Sequence, residues 1–169
     1  SESEAKEIVH YVKTHPDKTI AVITPFVNQR NKIQEELNQN GITNVDCGTV
    51  HAFQGDEKQE IIFSLALTDK THEKTYSWLK NNKELINVAT SRAKEKLVIA
   101  GDKDQLNRFH HPGDDDDLFE LCNYVRLNGK TTVTERVPES RALGIKPYST
   151  ETETAFLDTL NHAINAMMI

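Results

Sequence analysis

Short aliphatic runs separated by amphipathic stretches fill the first 110 residues. Residues 4–14 place Ile8, Val9 and Val12 on one side of a helix that Pro16-Asp17 stops. Ile20-Ala21-Val22-Ile23 follows as an unbroken aliphatic run, the pattern of a parallel strand covered by helices on both faces. Thr24-Pro25 ends it. Residues 27–40 then put Val27, Ile33 and Leu37 at helical spacing and stop at Gly41. Residues 42–47 form a short connection, and residues 60–67 are a second buried strand. Residues 69–82 are polar and carry the single tryptophan, Trp78, whose ring is expected to dock this excursion on the body. A helix over 83–93, with Leu85, Val88 and Ala89 inward, leads into a third strand at 96–100. Gly101-Asp102 turns the chain, and 103–109 makes one more short helix.

Strands alternating with helices imply a mainly parallel sheet with right-handed crossovers and helices on both faces: a doubly wound α/β domain over residues 1–110. Beyond His110 the pattern changes, and residues 111–169 are expected to form a mostly helical extension. It comprises a helix at 118–127, an extended stretch at 131–137, a proline-containing link at 138–147 and a final helix at 152–168. No internal repeat is present.

At 169 residues, 37% hydrophobic and 27% charged, the chain has the composition of an ordinary globular domain with a sizeable core. A net charge of −6 argues against bulk electrostatic capture of nucleic acid but leaves room for a local basic groove, because the acidic excess is uneven. Asp114 to Asp117 form one acidic block, which contiguous like charge marks as a solvated loop; with His110-His111 beside it, a metal site is the lesser reading. Cys47 and Cys122 are too few for a disulfide framework and lack zinc-ligand spacing, so a reduced, cytoplasmic setting is expected. No apolar run approaches the roughly 20 residues of a membrane span, and Ser-Glu-Ser-Glu is unlike a signal peptide. No membrane partner is expected.

Two blocks concentrate the polar chemistry: Gly48-Thr49-Val50-His51-Ala52-Phe53-Gln54-Gly55-Asp56-Glu57 and Ile86-Asn87-Val88-Ala89-Thr90-Ser91-Arg92-Ala93-Lys94. Neither is a complete active site. A phosphate loop needs glycines, a lysine and a hydroxyl in the order G-x-x-x-x-G-K-[ST]. Gly129-Lys130-Thr131 imitates its end, but the first glycine would fall on Tyr124 inside a helix, and no strand precedes it. A strand ending in paired carboxylates for magnesium is also lacking. What the chain does offer is Arg92, between a helix and a strand, with Lys94 beside it. An arginine so placed can complete a phosphoryl-transfer site from outside, or it can simply offset the dipole at a helix C-terminus.

The two blocks, with Ile23-Thr24-Pro25-Phe26 and Gln29-Arg30 upstream, resemble three signature segments in the second, RecA-like motor domain of superfamily 1 helicases. The resemblance is to the group containing the nonsense-mediated-decay RNA helicases, the Okazaki-fragment helicase-nucleases and bacterial relatives, and it covers residues 4–109. It implies that Arg92 is the arginine finger, with Ser91 in place of the more usual threonine. It also implies that Gln54, Gly55, Glu57 and Lys94 lie near the nucleotide, while Thr24, Pro25, Thr49, His51 and Ser91 face a single strand of DNA or RNA. ATP and Mg²⁺ would be held mainly by a first RecA-like domain elsewhere in the same parent chain, so this segment alone is expected to be inactive.

Blander assignments stand beside these. Thr24 can cap the following helix instead of touching phosphate. His51 can be structural, Phe53 can be core, and Gln29 and Arg30 can solvate a helix face. A non-catalytic RecA-like module that binds nucleic acid or protein is the alternative function. A second alternative makes the last sixty residues an adaptor or the entry to a nuclease.

Overall fold

A computed structural model describes residues 1–49, 57–128, 130–133, 148–153 and 165–168, those after residue 127 by their backbone. Strand β1 (Ile20–Ile23) lies between β2 (Asp46–Gly48) and β3 (Lys58–Ser64), and β4 (Ala93–Ala100) pairs with β3; all three pairings are parallel. Successive strand residues point to opposite faces. Ala21, Ile23, Ile61, Phe63, Leu97 and Ile99 therefore enter one buried cluster, and Ile20, Val22, Ile62, Val98 and Ala100 enter another.

Helices α1 (Glu2–Thr14) and α2 (Val27–Gln39) cover the second cluster through Ile8, Val12, Ile33 and Leu37. Helices α3 (Glu73–Lys80), α4 (Lys83–Ser91), α5 (Lys103–Phe109) and α6 (Asp117–Asn128) cover the first. Both faces are dry, which is why these strands read as unbroken aliphatic runs rather than alternating ones. The doubly wound α/β fold expected from the sequence is the fold observed.

Four local expectations change. The buried stripe of α2 is Gln29, Ile33 and Leu37, while Val27 is 55% exposed. Gln29 is held inside because its amide donates to Ser64 Oγ at 3.2 Å, and Ser64 in turn donates to buried Glu4 at 2.6 Å. Residues 73–80 form a helix docked by Tyr76 and Leu79, and Trp78 is 52% exposed. Positions 76 and 79 share a helix face and 78 does not, so the ring does not do the docking.

The acidic block is not uniformly solvated. Asp116 is buried, accepting the Tyr76 hydroxyl at 2.5 Å on Oδ2 and the Phe119 N–H at 2.9 Å on Oδ1, with His110 Nδ1 3.2 Å from Oδ2. It joins α3, the end of α5 and the start of α6, whose Leu118, Leu121, Cys122 and Val125 share the cluster of Ile61 and Phe63.

The final helix expected at 152–168 is corrected. Strands β5 (Lys130–Val133), β6 (Tyr148–Glu153) and β7 (Asn165–Met168) continue the sheet, with β7 parallel beside β4; residues 154–164 lie outside the described residues. An open edge of β4 offers unpaired backbone groups that a strand satisfies and a helix cannot. Side-chain periodicity does not register such a partner.

Gly101, where the chain leaves β4, is required by space. A Cβ there would stand 2.7 Å from Leu65 Cδ1 and 3.1 Å from Leu65 Cγ, and Leu65 is fully buried. Gly101→Ala is expected to destabilise the domain by about 1–3 kcal/mol, the usual cost of overpacking. Urea denaturation checks it; a change below about 0.5 kcal/mol would mean that Leu65 has room to move.

Candidate functional site

Parallel strands give the sheet two unlike edges, and the candidate residues divide between them. At the carboxyl edge, Thr24 follows β1 and Thr49 follows β2. The Thr24 N–H donates to Gly48 O at 3.1 Å, locking the two strand ends together. Pro25 and Thr49 are half-buried. Thr24 is fully buried, and its Oγ1 accepts a long bond, 3.4 Å, from the Phe26 N–H. The residue before α2 is Phe26, and among the described residues no side chain caps that helix, so Thr24 does not act as its cap. A thirteen-residue helix thus points an uncapped, partially positive N-terminus at the same edge as the two threonines.

The amino edge holds Glu57, Ser91, Arg92 and Lys94. Arg92 is the residue after α4, half-buried, and its backbone carbonyl accepts the Lys58 N–H at 2.9 Å, which pins it to the start of β3. Lys94 Nζ lies 3.4 Å from Glu57 Oε2, joining the two signature blocks through an exposed ion pair. Exposed pairs of this kind contribute little stability; here the contact matters as placement.

A second network stiffens that edge. Thr19 and Gln59 exchange hydrogen bonds, each backbone N–H donating to the other's side chain at 2.9 Å. Gln59 Nε2 donates to Glu95 at 3.2 Å, and Lys18 Nζ donates to Glu95 at 3.0 Å. The Lys18 bond holds the Glu95 carboxyl below the usual range, and Glu95 correspondingly raises Lys18. The amino ends of β1, β3 and β4 are therefore tied together next to Arg92.

Glu57, Arg92 and Lys94 are brought together, as are Thr24, Pro25 and Thr49, but the two sets lie at opposite ends of the strands. Seven-residue β3 separates them by roughly 20 Å. Ser91, expected on the strand track, adjoins Arg92 at the amino edge instead. His51, Gln54 and Gly55 lie outside the described residues. The first signature block therefore begins at one edge, with Thr49, and ends at the other, with Glu57.

In the sequence Trp78 reads as the ring that docks its segment and Phe26 only as part of a signature segment; neither is assigned to a site there, yet both stand at the carboxyl edge with ring centroids 6.3 Å apart. Cys47 and Cys122 are free thiols; burial pushes Cys47 up to about 12, against the opposing pull of Arg30, and raises Cys122 as well. Among the described residues, no group of three or more His, Cys, Asp or Glu side chains is placed to hold a metal ion, and no helix is long and apolar enough to cross a membrane.

Residues 2–104 match the family model described as the AAA domain. The RNA helicase Mov10l1 of Mus musculus is 34% identical over 130 residues, which cover 75% of this chain and 10% of that protein. The DNA polymerase alpha-associated DNA helicase A of Schizosaccharomyces pombe is 38% identical over 89 residues, 53% of this chain and 13% of that one. The DNA replication ATP-dependent helicase/nuclease DNA2 of Mus musculus is 32% identical over 108 residues, 64% of this chain and 10% of that one. The chain spans about a tenth of the length of the curated relatives it matches. A solved Haemonchus contortus phospholethanolamine N-methyltransferase 2 overlays at a TM-score of 0.46 with 14% identity, covering 94% of this chain and 40% of that one; a likeness at this level carries no argument.

The parallel sheet and the matched span together define an α/β domain of the motor type. The chain belongs to the AAA-domain family and, within it, to the superfamily 1 helicases of the group with nonsense-mediated-decay-type and Okazaki-fragment-type members.

Proposed function

We propose that this chain is the second motor domain of a longer ATP-dependent helicase or translocase, with its two sheet edges doing different work. The observation that carries this is the division itself: cations on a stiffened amino edge, and hydroxyls with an uncapped helix N-terminus on the carboxyl edge.

The amino edge suits a nucleotide held mainly by another domain. Arg92 and Lys94 are cationic and anchored, and they offer charge without a phosphate loop of their own. Bound ATP with Mg²⁺ supplies the transferable phosphoryl group. Arg92 would meet the terminal phosphate, with Lys94, Glu57, Gln54 and Gly55 beside it, and Ser91 would belong with this set. The missing half is the first RecA-like domain of the parent chain, and the segment alone does not turn over ATP.

On the carboxyl edge Pro25 and Thr49 would line a track for single-stranded DNA or RNA, with buried Thr24 holding the ends of β1 and β2 together and His51 assigned to the same track by the resemblance alone. Helix N-termini are ready anion sites, and a phosphate at α2 would also come within reach of Thr49. Residues 1–110 form the motor domain and 111–169 an extension whose first helix completes the core. The two free, protonated thiols agree with a cytoplasmic setting.

Phosphate contacts carry no sequence information. Thr49→Val is therefore expected to weaken strand binding roughly 2- to 13-fold, the net value of one hydrogen bond, and by the same factor on every sequence, whereas Thr24 is fully buried and acts only by holding the loop in place. Fluorescence anisotropy on several labelled oligonucleotides measures this. A loss confined to particular sequences would remove Thr49 from the phosphate track.

A further inference from the structure

We propose that Trp78, braced by Phe26, is a stacking platform for one base of a single-stranded nucleic acid at the carboxyl edge of the sheet. The inference rests on the motor reading and adds to it a site for the base, where Thr49 addresses only the phosphate.

Trp78 is 52% exposed although its helix is already anchored by Tyr76, at 2%, and Leu79, at 0%. The indole is thus not needed for docking. It leans on Phe26 with the ring planes inclined by 52°, a tilted aromatic contact that fixes the indole without covering it. Phe26 is itself packed on the buried cluster of β1 and β3, so the brace is rigid.

Position identifies the ligand. Phe26 follows Pro25 and stands two residues after Thr24, so the aromatic pair borders the proposed phosphate grip. One nucleotide carries both a phosphate and a base, and the edge offers an anion site and a π-face side by side. Charge adds nothing to this, because Lys80 and Lys83 of the same segment are already paired with Asp114 and Asp117 at 3.4 and 3.9 Å, so the ring face is what the ligand would meet.

Size argues against a protein partner. Only three large hydrophobic side chains are exposed among the described residues, and Val27 and Trp78 are two of them. A specific protein interface needs about 800 Å² on each side. An isolated exposed ring offers no apolar core for such an interface and matches the face of one base.

Trp78 is the only tryptophan, so its emission reports on this site alone. The 169-residue chain is titrated with end-labelled oligothymidylate, with binding followed by anisotropy and Trp78 followed by fluorescence. Quenching in step with binding is expected, and it should diminish on a strand of the same length made of abasic sites. Trp78→Ala should weaken binding about 5- to 150-fold, the usual range for one stacked base, with circular dichroism unchanged, and Trp78→Phe should recover most of the loss. Strand binding that leaves the emission unmoved, with Trp78→Ala as tight as wild type, would overturn the platform, reassign the patch to a protein partner and leave the motor reading intact. Failure of the wild-type chain to bind any strand would overturn the motor reading and the platform with it.

Discussion

Arg92→Ala is expected to lower strand-stimulated ATP hydrolysis by the longer helicase chain by roughly 10³- to 10⁵-fold, while ATP affinity changes by no more than a few-fold. That range is the effect of a transferred-phosphate arginine where one has been isolated. The separation of effects follows from chemistry. Charge builds on the phosphoryl oxygens mainly in the transition state, so a cation aimed there acts on turnover more than on binding. The placement supports such a role: Arg92 closes α4, its carbonyl accepts the Lys58 N–H, and the network of Thr19, Gln59, Glu95 and Lys18 ties the neighbouring strand ends. Arg92→Lys should stay well below wild type, because an ammonium cannot reproduce the planar fork of a guanidinium. Parallel loss of binding and turnover in Arg92→Ala would make the residue a binding or structural cation instead.

Asp116→Ala is expected to destabilise the domain by about 2–4 kcal/mol, a large share of the 5–15 kcal/mol typical of a whole domain. Two losses combine: the bond to the Phe119 N–H at the start of α6, worth about 1 kcal/mol as a cap, and the charge-assisted bond from Tyr76, whose removal leaves a buried hydroxyl without that acceptor and costs about 1–3 kcal/mol. Adding Tyr76→Phe to Asp116→Ala should restore part of the stability, since the orphaned hydroxyl is then gone, and a double-mutant cycle measures the coupling. Urea unfolding of the wild type should show one cooperative transition, because α6 shares its core with β3. Two separate transitions would make residues 111–169 a unit of their own.

The central strands were legible from the sequence because burial on both faces leaves an aliphatic run that resembles nothing else. The division of the site between two edges was not drawn from the sequence: the resemblance puts Ser91 on the strand track although it precedes β4 as Arg92 does, while Thr24 follows β1 at the other edge. What failed to show depends on tertiary partners. Gln29 is buried because Ser64 and Glu4 wait for it, so α2 turns Val27 outward. Asp116 looks like one more solvated carboxylate until Tyr76, forty positions earlier, is seen to donate to it. Trp78 invited the assumption that a large ring must dock, yet the helical phase of Tyr76 and Leu79 places it outside. The β7 pairing depends on an unpaired edge of β4, which no local pattern encodes.

The most direct test is ATP hydrolysis by the longer protein that contains this chain, measured with and without single-stranded DNA or RNA and beside the isolated 169-residue chain. The two-edge motor account predicts turnover that rises when a strand is added to the longer protein, and none from the isolated chain under either condition. No strand-stimulated turnover by the longer protein, or genuine turnover by the isolated chain, would contradict it.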